Sequence, residues 1–126
     1  MKPLKVLIAT PEAIPFAKTG GLADVAGSLP KALNRLGLDA RIIMPFYRQI
    51  QEIQGSGVRG QGSEEKTEIK DTGIRVSVPI GFREISIPVF QAEANGITAY
   101  FLKRDEYFDR KYLYTMPDGD YFDNAE

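Results

Sequence analysis

The sequence predicts an α/β fold that begins with a strand–helix–strand unit. Residues 4–9 form a short, continuous apolar run rich in branched side chains, typical of a strand buried on both faces of a parallel sheet. A helical apolar pattern follows, and residues 38–44 form a second run that is polar at its start and apolar at its end. Two such strands joined by a helix predict a right-handed βαβ unit over residues 1–45.

The helix between the strands is predicted from apolar residues that recur with the spacing of an amphipathic helix lying on a sheet. These residues are Leu22, Val25, Ala26, Leu29, Ala32, Leu33 and Leu36. Gly37 is placed to cap the end of the helix. Residues 10–21 contain two prolines and two glycines, which predict a loop between strand and helix. A βαβ unit places this loop at the carboxyl edge of the sheet, where ligands bind in open α/β folds.

The rest of the chain predicts a polar segment followed by antiparallel strands. Residues 54–66 are rich in glycine with two serines, and we interpret them as a mobile loop. Residues 67–102 are expected to form strands and hairpins, with strand-like runs at 69–80, 84–91 and 97–102. Gly81-Phe82-Arg83 and Ala94-Asn95-Gly96 supply the turns, and Asn-Gly is a strong hairpin signal.

Composition narrows the class of protein. A chain of 126 residues with 43% hydrophobic and 26% charged residues has the size and composition of one globular domain. Sixteen basic and seventeen acidic residues leave a formal charge of -1, which gives no electrostatic basis for binding nucleic acid or an anionic membrane. The first apolar run is too short for an export signal, and no run reaches the ~18 residues of a membrane span. We expect a cytoplasmic protein.

The chain contains neither cysteine nor histidine. The lack of cysteine excludes disulfides, thiol nucleophiles and thiolate metal ligands, and the lack of histidine removes the commonest general base at neutral pH. Acid–base chemistry would therefore depend on carboxylates, lysine or tyrosine. We expect the chain to hold no cofactor and to be short of catalytic groups.

The strongest candidate site is the segment Lys18-Thr19-Gly20-Gly21-Leu22, just before the predicted helix. It combines a lysine charge, glycines that let a ligand approach the backbone, and free N–H groups at the positive end of the helix dipole. Such a segment can cradle a phosphate. It matches neither the Walker loop, because the lysine precedes the glycines, nor the G-x-G-x-x-G fingerprint. The residues by themselves leave open a glycine-bearing turn with a solvated lysine.

The motif around this segment resembles the N-terminal signature of glycogen and starch synthases that use ADP-glucose. The similar stretch runs from Thr10 through Lys18-Thr19-Gly20-Gly21-Leu22-Ala23-Asp24-Val25 to Pro30. Residues 40–47 are similar to the family's second strand and the turn after it. Further similar segments are residues 96–102, Tyr107-Phe108-Asp109-Arg110 and Tyr121-Phe122-Asp123-Asn124.

The resemblance implies a retaining glucosyltransferase of the two-domain GT-B type, which adds glucose from ADP-glucose to the non-reducing end of an α-1,4-glucan without a metal. This chain would be a partial Rossmann-like N-terminal domain with an inserted β-hairpin region. By position in the motif, Lys18 would bind ADP-glucose, and Gly20 and Gly21 would offer close backbone. Glu12 and Asp24 would face the sugar or help hold the loop.

Simpler roles are open for both carboxylates. Glu12 could pair with a nearby lysine. Asp24 lies in the first turn of the predicted helix, where the helix dipole favours a negative charge whatever the function.

The family's active site also draws on a histidine from later in the first domain and on an arginine, a lysine and a glutamate from the second domain. None of these positions exists in the 126 residues, so we expect a truncated catalytic domain, inactive without the missing C-terminal domain. The end of the chain, residues 121–126, resembles the start of a helix, which favours truncation. The alternative is a stand-alone module that binds sugar-nucleotide or glucan without catalysis. Another GT-B transferase is disfavoured by the Lys-Thr-Gly-Gly-Leu and Ala-Asp-Val motifs.

Overall fold

The computed structural model describes residues 2–48, 50, 68–104, 115–116 and 119–120. The segment interpreted as a mobile loop and the motifs at 107–110 and 121–124 lie outside the described residues. No helix in these ranges is long and apolar enough to cross a membrane. The elements, in chain order, are β1 (Lys5–Ala9), α1 (Gly21–Arg35), β2 (Asp39–Pro45), β3 (Lys70–Ile80), β4 (Arg83–Ala94), β5 (Ile97–Leu102), β6 (Thr115–Met116) and β7 (Gly119–Asp120).

Five strands form one mixed sheet in the order β1-β2-β5-β4-β3. β1, β2 and β5 are parallel, with Ile42 of β2 lying beside Ile8 on one side and Ala99 on the other. β4 and β3 extend the sheet antiparallel, and β6 pairs with β7 in a separate ladder. The α/β prediction is therefore confirmed, with a parallel βαβ unit on one side of the sheet and hairpins on the other.

The hydrophobic core lies between one face of the sheet and the segment formed by α1 and the loop before it. Ile42, Ala99 and Phe101 of the central strands are at most 1% exposed. The Phe101 ring meets Phe16 of the loop edge to face at 4.9 Å between centroids, and Phe46 lies 5.5 Å away. These contacts join the loop after β1 to the centre of the sheet.

The face of α1 that the core buries differs from the predicted one. The buried residues are Ala23, Ala26 and Pro30, whereas most of the larger apolar residues of the predicted face are exposed and Leu33 is half-buried. These exposed residues are Leu22, Val25, Leu29 and Leu36. The prediction was wrong because α1 carries two apolar stripes, and the narrow stripe of small side chains allows the closer approach to the loop and β2.

Gly27 shows how close that approach is. A Cβ at this position would lie 2.9 Å from the Ile14 carbonyl oxygen and 3.2 Å from the Ile14 Cβ. Alanine favours a helix interior over glycine by about 1 kcal/mol, but the clash with the loop backbone outweighs this gain. We expect Gly27→Ala to lower the free energy of unfolding by about 1–3 kcal/mol in urea denaturation.

Gly21→Ala is the matched control for this substitution, because no atom of the part of the chain that the structure describes lies within 4 Å of a Cβ at Gly21. We expect it to leave the stability unchanged or to raise it slightly. A Gly27→Ala variant as stable as the original chain would contradict the close approach.

The predicted cap and turn residues are confirmed. Gly37 has φ of +88°, and its N–H donates to the Asn34 carbonyl at 3.0 Å, while the Leu38 N–H donates to the Leu33 carbonyl at 3.2 Å. This pair of hydrogen bonds is a Schellman motif that ends α1. Asn95 and Gly96 connect β4 to β5 with φ values of 55° and 75°, as a two-residue hairpin turn of the primed type requires.

The prediction that β1 is buried on both faces was wrong for this chain. β1 lies at the edge of the sheet, and its Leu7 side chain is 57% exposed. Val6 and Ile8, on the opposite face of the strand, are only half-buried. β1 therefore has the apolar composition of an interior strand but lies in the exposed environment of an edge strand.

Candidate functional site

The loop between β1 and α1 leaves the sheet at the carboxyl ends of β1 and β2, as predicted. The Thr10 N–H donates to the Ile43 carbonyl at 3.1 Å, which places the start of the loop beside the end of β2. The Ile14 N–H donates to the Ala23 carbonyl of α1 at 3.1 Å. Phe16 is 4% exposed and packs on Phe101. The loop is thus anchored to the strand, the helix and the core.

Glu12 is a buried carboxylate that holds the second half of this loop. Its side chain is 2% exposed, and Oε2 accepts hydrogen bonds from the Thr19 N–H at 2.9 Å and the Thr19 hydroxyl at 2.5 Å. Gly20, the N-cap residue of α1, has no side chain that could cap the helix. The Glu12 carboxylate supplies that negative charge from outside the helix, where the dipole favours it.

The surroundings of Glu12 keep it ionised. Burial by itself would raise the pKa of the Glu12 carboxyl. Hydrogen bonds from the side chain and backbone of Thr19, and from the backbone of Ala23 and Gly20, lower the pKa further than burial raises it. The net pKa of Glu12 lies below its ordinary value of 4.5.

A lowered pKa makes the stability of the chain depend on pH in a defined direction. Because the folded pKa lies below the ordinary value of 4.5, the ionised carboxylate stabilises the fold above pH 4.5, and this stabilisation is lost as the pH falls through the folded pKa. We expect Glu12→Gln to lower the free energy of unfolding by about 1.5–3 kcal/mol at neutral pH, since hydrogen bonds to a charged group are lost.

Urea denaturation of the original chain and of Glu12→Gln, from neutral pH to below pH 4.5, measures the difference between their free energies of unfolding. This difference should shrink below pH 4.5. Glu93→Gln is the control, since Glu93 is exposed at the end of β4 and its substitution should change stability little. A difference between Glu12→Gln and the original chain that stays constant with pH would argue against the ionised carboxylate.

Lys18 and Asp24 form an ion pair beside the start of α1. The Lys18 Nζ donates to both carboxylate oxygens of Asp24, at 2.9 and 3.0 Å. Both side chains are 53% exposed, so the pair is open to solvent and adds at most about 1 kcal/mol to stability. The ammonium group is therefore held at a defined place and is accessible to a ligand. The pairing that the sequence left open for Glu12 belongs instead to Asp24.

Gly20 is the N-cap of α1, and Gly21 is the first residue of the helix. A Cβ at either position would meet nothing within 4 Å, and neither glycine has a positive φ. Neither backbone conformation nor packing against the described residues therefore requires glycine at these positions. The space above the first turn of α1 is free for a ligand that approaches the backbone.

The five residues predicted for the site thus lie together around the start of α1. Sequence reasoning missed Thr19, whose backbone and hydroxyl connect Glu12 to the loop. A threonine just before a helix start is a recognisable capping signal, but its partner lies seven residues upstream. Among the described residues, no group of three or more acidic side chains is placed to hold a metal ion.

Comparisons with known proteins agree with the motif. The family model described as the starch synthase catalytic domain matches residues 5–126. The chain is 41% identical over 123 residues to the glycogen synthase of Syntrophotalea carbinolica, covering 98% of this chain and 23% of that protein. It is also 41% identical over 120 residues to the glycogen synthase of Geobacillus stearothermophilus, covering 94% of this chain and 22% of that protein.

A solved structure shares the fold. The catalytic domain of starch synthase IV from Arabidopsis thaliana, bound to ADP and acarbose, superposes with a TM-score of 0.69 at 24% sequence identity. The match covers 94% of this chain and 22% of that structure. The chain thus spans less than a quarter of the length of the proteins that it resembles. On the family match over nearly all of its residues, the chain belongs to the starch synthase catalytic domain family.

Proposed function

We propose that this chain forms the N-terminal half of the sugar-nucleotide site of a cytoplasmic, retaining GT-B glucosyltransferase. The enzyme would transfer glucose from ADP-glucose to the non-reducing end of an α-1,4-glucan, in glycogen or starch synthesis. The observation that carries the proposal is the open space above Gly20 and Gly21, beside an exposed lysine at a helix N-terminus. In this proposal, residues 1–126 are a truncated N-terminal catalytic domain.

The geometry supports different roles for the five site residues. Lys18 would contact a phosphate of ADP-glucose, and the two glycines would let the ligand approach the first turn of α1. Asp24 holds the Lys18 ammonium in place. Glu12 is buried and turned to Thr19, so we assign it to holding the loop and not to contacting the sugar.

The same geometry supports inactivity of the isolated chain. The region around the glycines has two carboxylates, Glu12 and Asp24, and one ammonium group, Lys18. A departing diphosphate needs a surplus of positive charge that is already in place when the bond breaks. That surplus would come from the C-terminal domain of the complete enzyme. We therefore assign no catalytic residue to this chain.

An NMR titration of the chain with ADP-glucose tests the half-site. We expect weak binding, with amide shifts confined to residues 18–24, because the chain supplies only part of the charge. Gly21→Ala should weaken these shifts at least tenfold without unfolding the protein, because its methyl group would occupy the space used by the ligand. Shifts that are absent at saturating ligand, or that lie elsewhere, would contradict the proposal.

The alternative function, a stand-alone binding module, predicts a different affinity. Such a module would bind ADP-glucose or a maltooligosaccharide tightly without any further domain. A chimaera separates the two functions: this chain replaces the matching 120 residues of the Geobacillus stearothermophilus glycogen synthase. Glucosyltransferase activity of the chimaera supports the enzyme. Tight binding by the isolated chain together with an inactive, folded chimaera supports the module.

A further inference from the structure

β3 and β4 extend past the carboxyl end of β5. β4 pairs with β5 only from Val89 onward, and Val89 lies opposite Leu102, the last residue of β5. Residues 83–88 therefore pair with β3 alone, in unbroken register with residues 75–80. Residues 75–88 thus form a hairpin arm that is about 20 Å long. Because β5 is parallel to β1 and β2, the arm extends from the same edge of the sheet as the loop before α1.

One face of the hairpin arm is polar and lies on the same side of the sheet as that loop. Ala92 of β4 belongs to the core that also contains Phe16 of the loop, and Phe90 packs against this core. Alternate residues of a strand share a face, and so do residues that are directly paired across two strands. The exposed residues that the register places on this face are Arg75, Ser77, Pro79, Glu84 and Ser86.

The other face of the hairpin arm is apolar, and its β4 side chains are buried. Ile85 is 4% exposed and Ile87 is 8% exposed. Across the polar face, the Ser77 hydroxyl donates to the Glu84 carboxylate. A carboxylate has about four lone-pair sites, so this hydrogen bond leaves acceptor capacity for a ligand. The arm is therefore packed on one face and presents hydroxyl and carboxylate groups on the other.

Phe82 lies at the tip of the hairpin arm. Its side chain is fully exposed, although turns favour small or polar residues. The positive φ of the turn, +61°, is at Gly81, so the backbone conformation does not require a phenyl ring at the next position. An exposed ring next to hydroxyl and carboxylate groups matches the chemistry of a pyranose. The apolar C–H face of the sugar can stack on the ring, and its hydroxyl groups can form hydrogen bonds.

We propose that the hairpin arm is a remote subsite for a long α-1,4-glucan acceptor, an inference that rests on the proposed glucosyltransferase function. Phe82 stacks on a glucose unit far from the reacting end of the glucan, and the polar face binds the hydroxyl groups of neighbouring units. An acceptor of one or two glucose units does not reach from the loop to the tip. The arm thus makes the enzyme prefer long acceptors over short ones.

Acceptor kinetics of the chimaera test this subsite. We expect Phe82→Ala to lower the ratio of kcat/KM for glycogen to kcat/KM for maltose about 3- to 10-fold, because one aromatic contact is lost. Phe82→Tyr should retain the ratio, since it keeps the ring, whereas Phe82→Leu should lose it. Leu36→Ala is the matched control, because Leu36 is 79% exposed but lies at the end of α1, at the opposite edge of the sheet.

An NMR titration of the isolated chain with maltoheptaose requires no catalysis. We expect amide shifts within residues 75–86, which Phe82→Ala should weaken and Leu36→Ala should leave in place. Maltose should give much smaller shifts at equal concentration, because it cannot contact the ring and the polar face together.

Several results would overturn this proposal. They are an unchanged acceptor ratio in Phe82→Ala, an equal loss of kcat/KM for both acceptors, and no shift in the arm at saturating maltoheptaose. Full retention of the ratio by Phe82→Leu would also overturn it, since an apolar contact with protein would then be sufficient. The ADP-glucose shifts at residues 18–24 test the proposed function separately, so the failure of one is distinguishable from the failure of the other.

Discussion

Replacing Lys18 with alanine is expected to weaken binding of ADP-glucose roughly 10- to 150-fold, the equivalent of losing about 1.5–3 kcal/mol of charge-assisted hydrogen bonding. The Lys18 ammonium is the only cation that the described part of the loop places beside Gly20 and Gly21. The loss should be visible as reduced NMR shifts in the isolated chain and as a reduced kcat/KM in the chimaera.

The fold should tolerate this substitution, because the Lys18–Asp24 pair is exposed and contributes at most about 1 kcal/mol. Lys31→Ala is the matched control, since Lys31 lies about three turns after the start of α1, beside Asn34 and Arg35 and away from the loop. We expect Lys31→Ala to bind ADP-glucose normally. A Lys18→Ala variant with unchanged affinity would argue against the phosphate contact, whereas one that unfolds would assign Lys18 a structural role.

Replacing Phe101 with alanine is expected to cost about 3–5 kcal/mol of stability, the largest effect of any substitution considered. Phe101 is 0% exposed, and its ring contacts Phe16 of the loop and Phe46 after β2. Truncation would leave a cavity where the loop, the parallel strands and the helix meet. Urea denaturation measures the loss, and in a domain of this size it is a large part of the total stability.

Phe82 provides the matched control for Phe101. It lies in the turn between β3 and β4 and is fully exposed at 111%. Phe82→Ala should therefore change the free energy of unfolding by no more than about 0.5 kcal/mol. Equal effects of the two substitutions would contradict the position of the core. Because Phe16 loses its edge-to-face partner, Phe101→Ala should also weaken ADP-glucose binding by loosening the loop.

Glu12 illustrates how far the sequence could predict the site. Its place in the motif assigned it to the site, with sugar contact and loop support both open. The structure favours loop support, because the carboxylate lies under the loop and accepts both polar groups of Thr19. Whether a side chain turns toward a ligand or into the loop depends on how the chain folds back, and the spacing of residues along the sequence does not contain that information.

The helix α1 illustrates the same limit for packing. Its periodicity predicted a helix with an apolar face, and its end at Gly37 was predicted from the preference of glycine for positive φ. Its buried face could not be predicted, because apolar residues occupy more than one side of the helix. The choice was decided by the small residues Ala23 and Ala26, which allow the loop to approach as closely as Gly27 requires.

The sequence by itself determined the βαβ unit, the hairpin turns and the position of the loop. These features depend on backbone preferences and on periodicities that extend over a few neighbours. Only the tertiary structure decided that Glu12 holds Thr19, that Phe16 packs on Phe101, that α1 turns its small residues inward and that β1 stands at an edge. Each of these depends on which distant surfaces meet, because burial is set by the surfaces that cover a residue and not by its own composition.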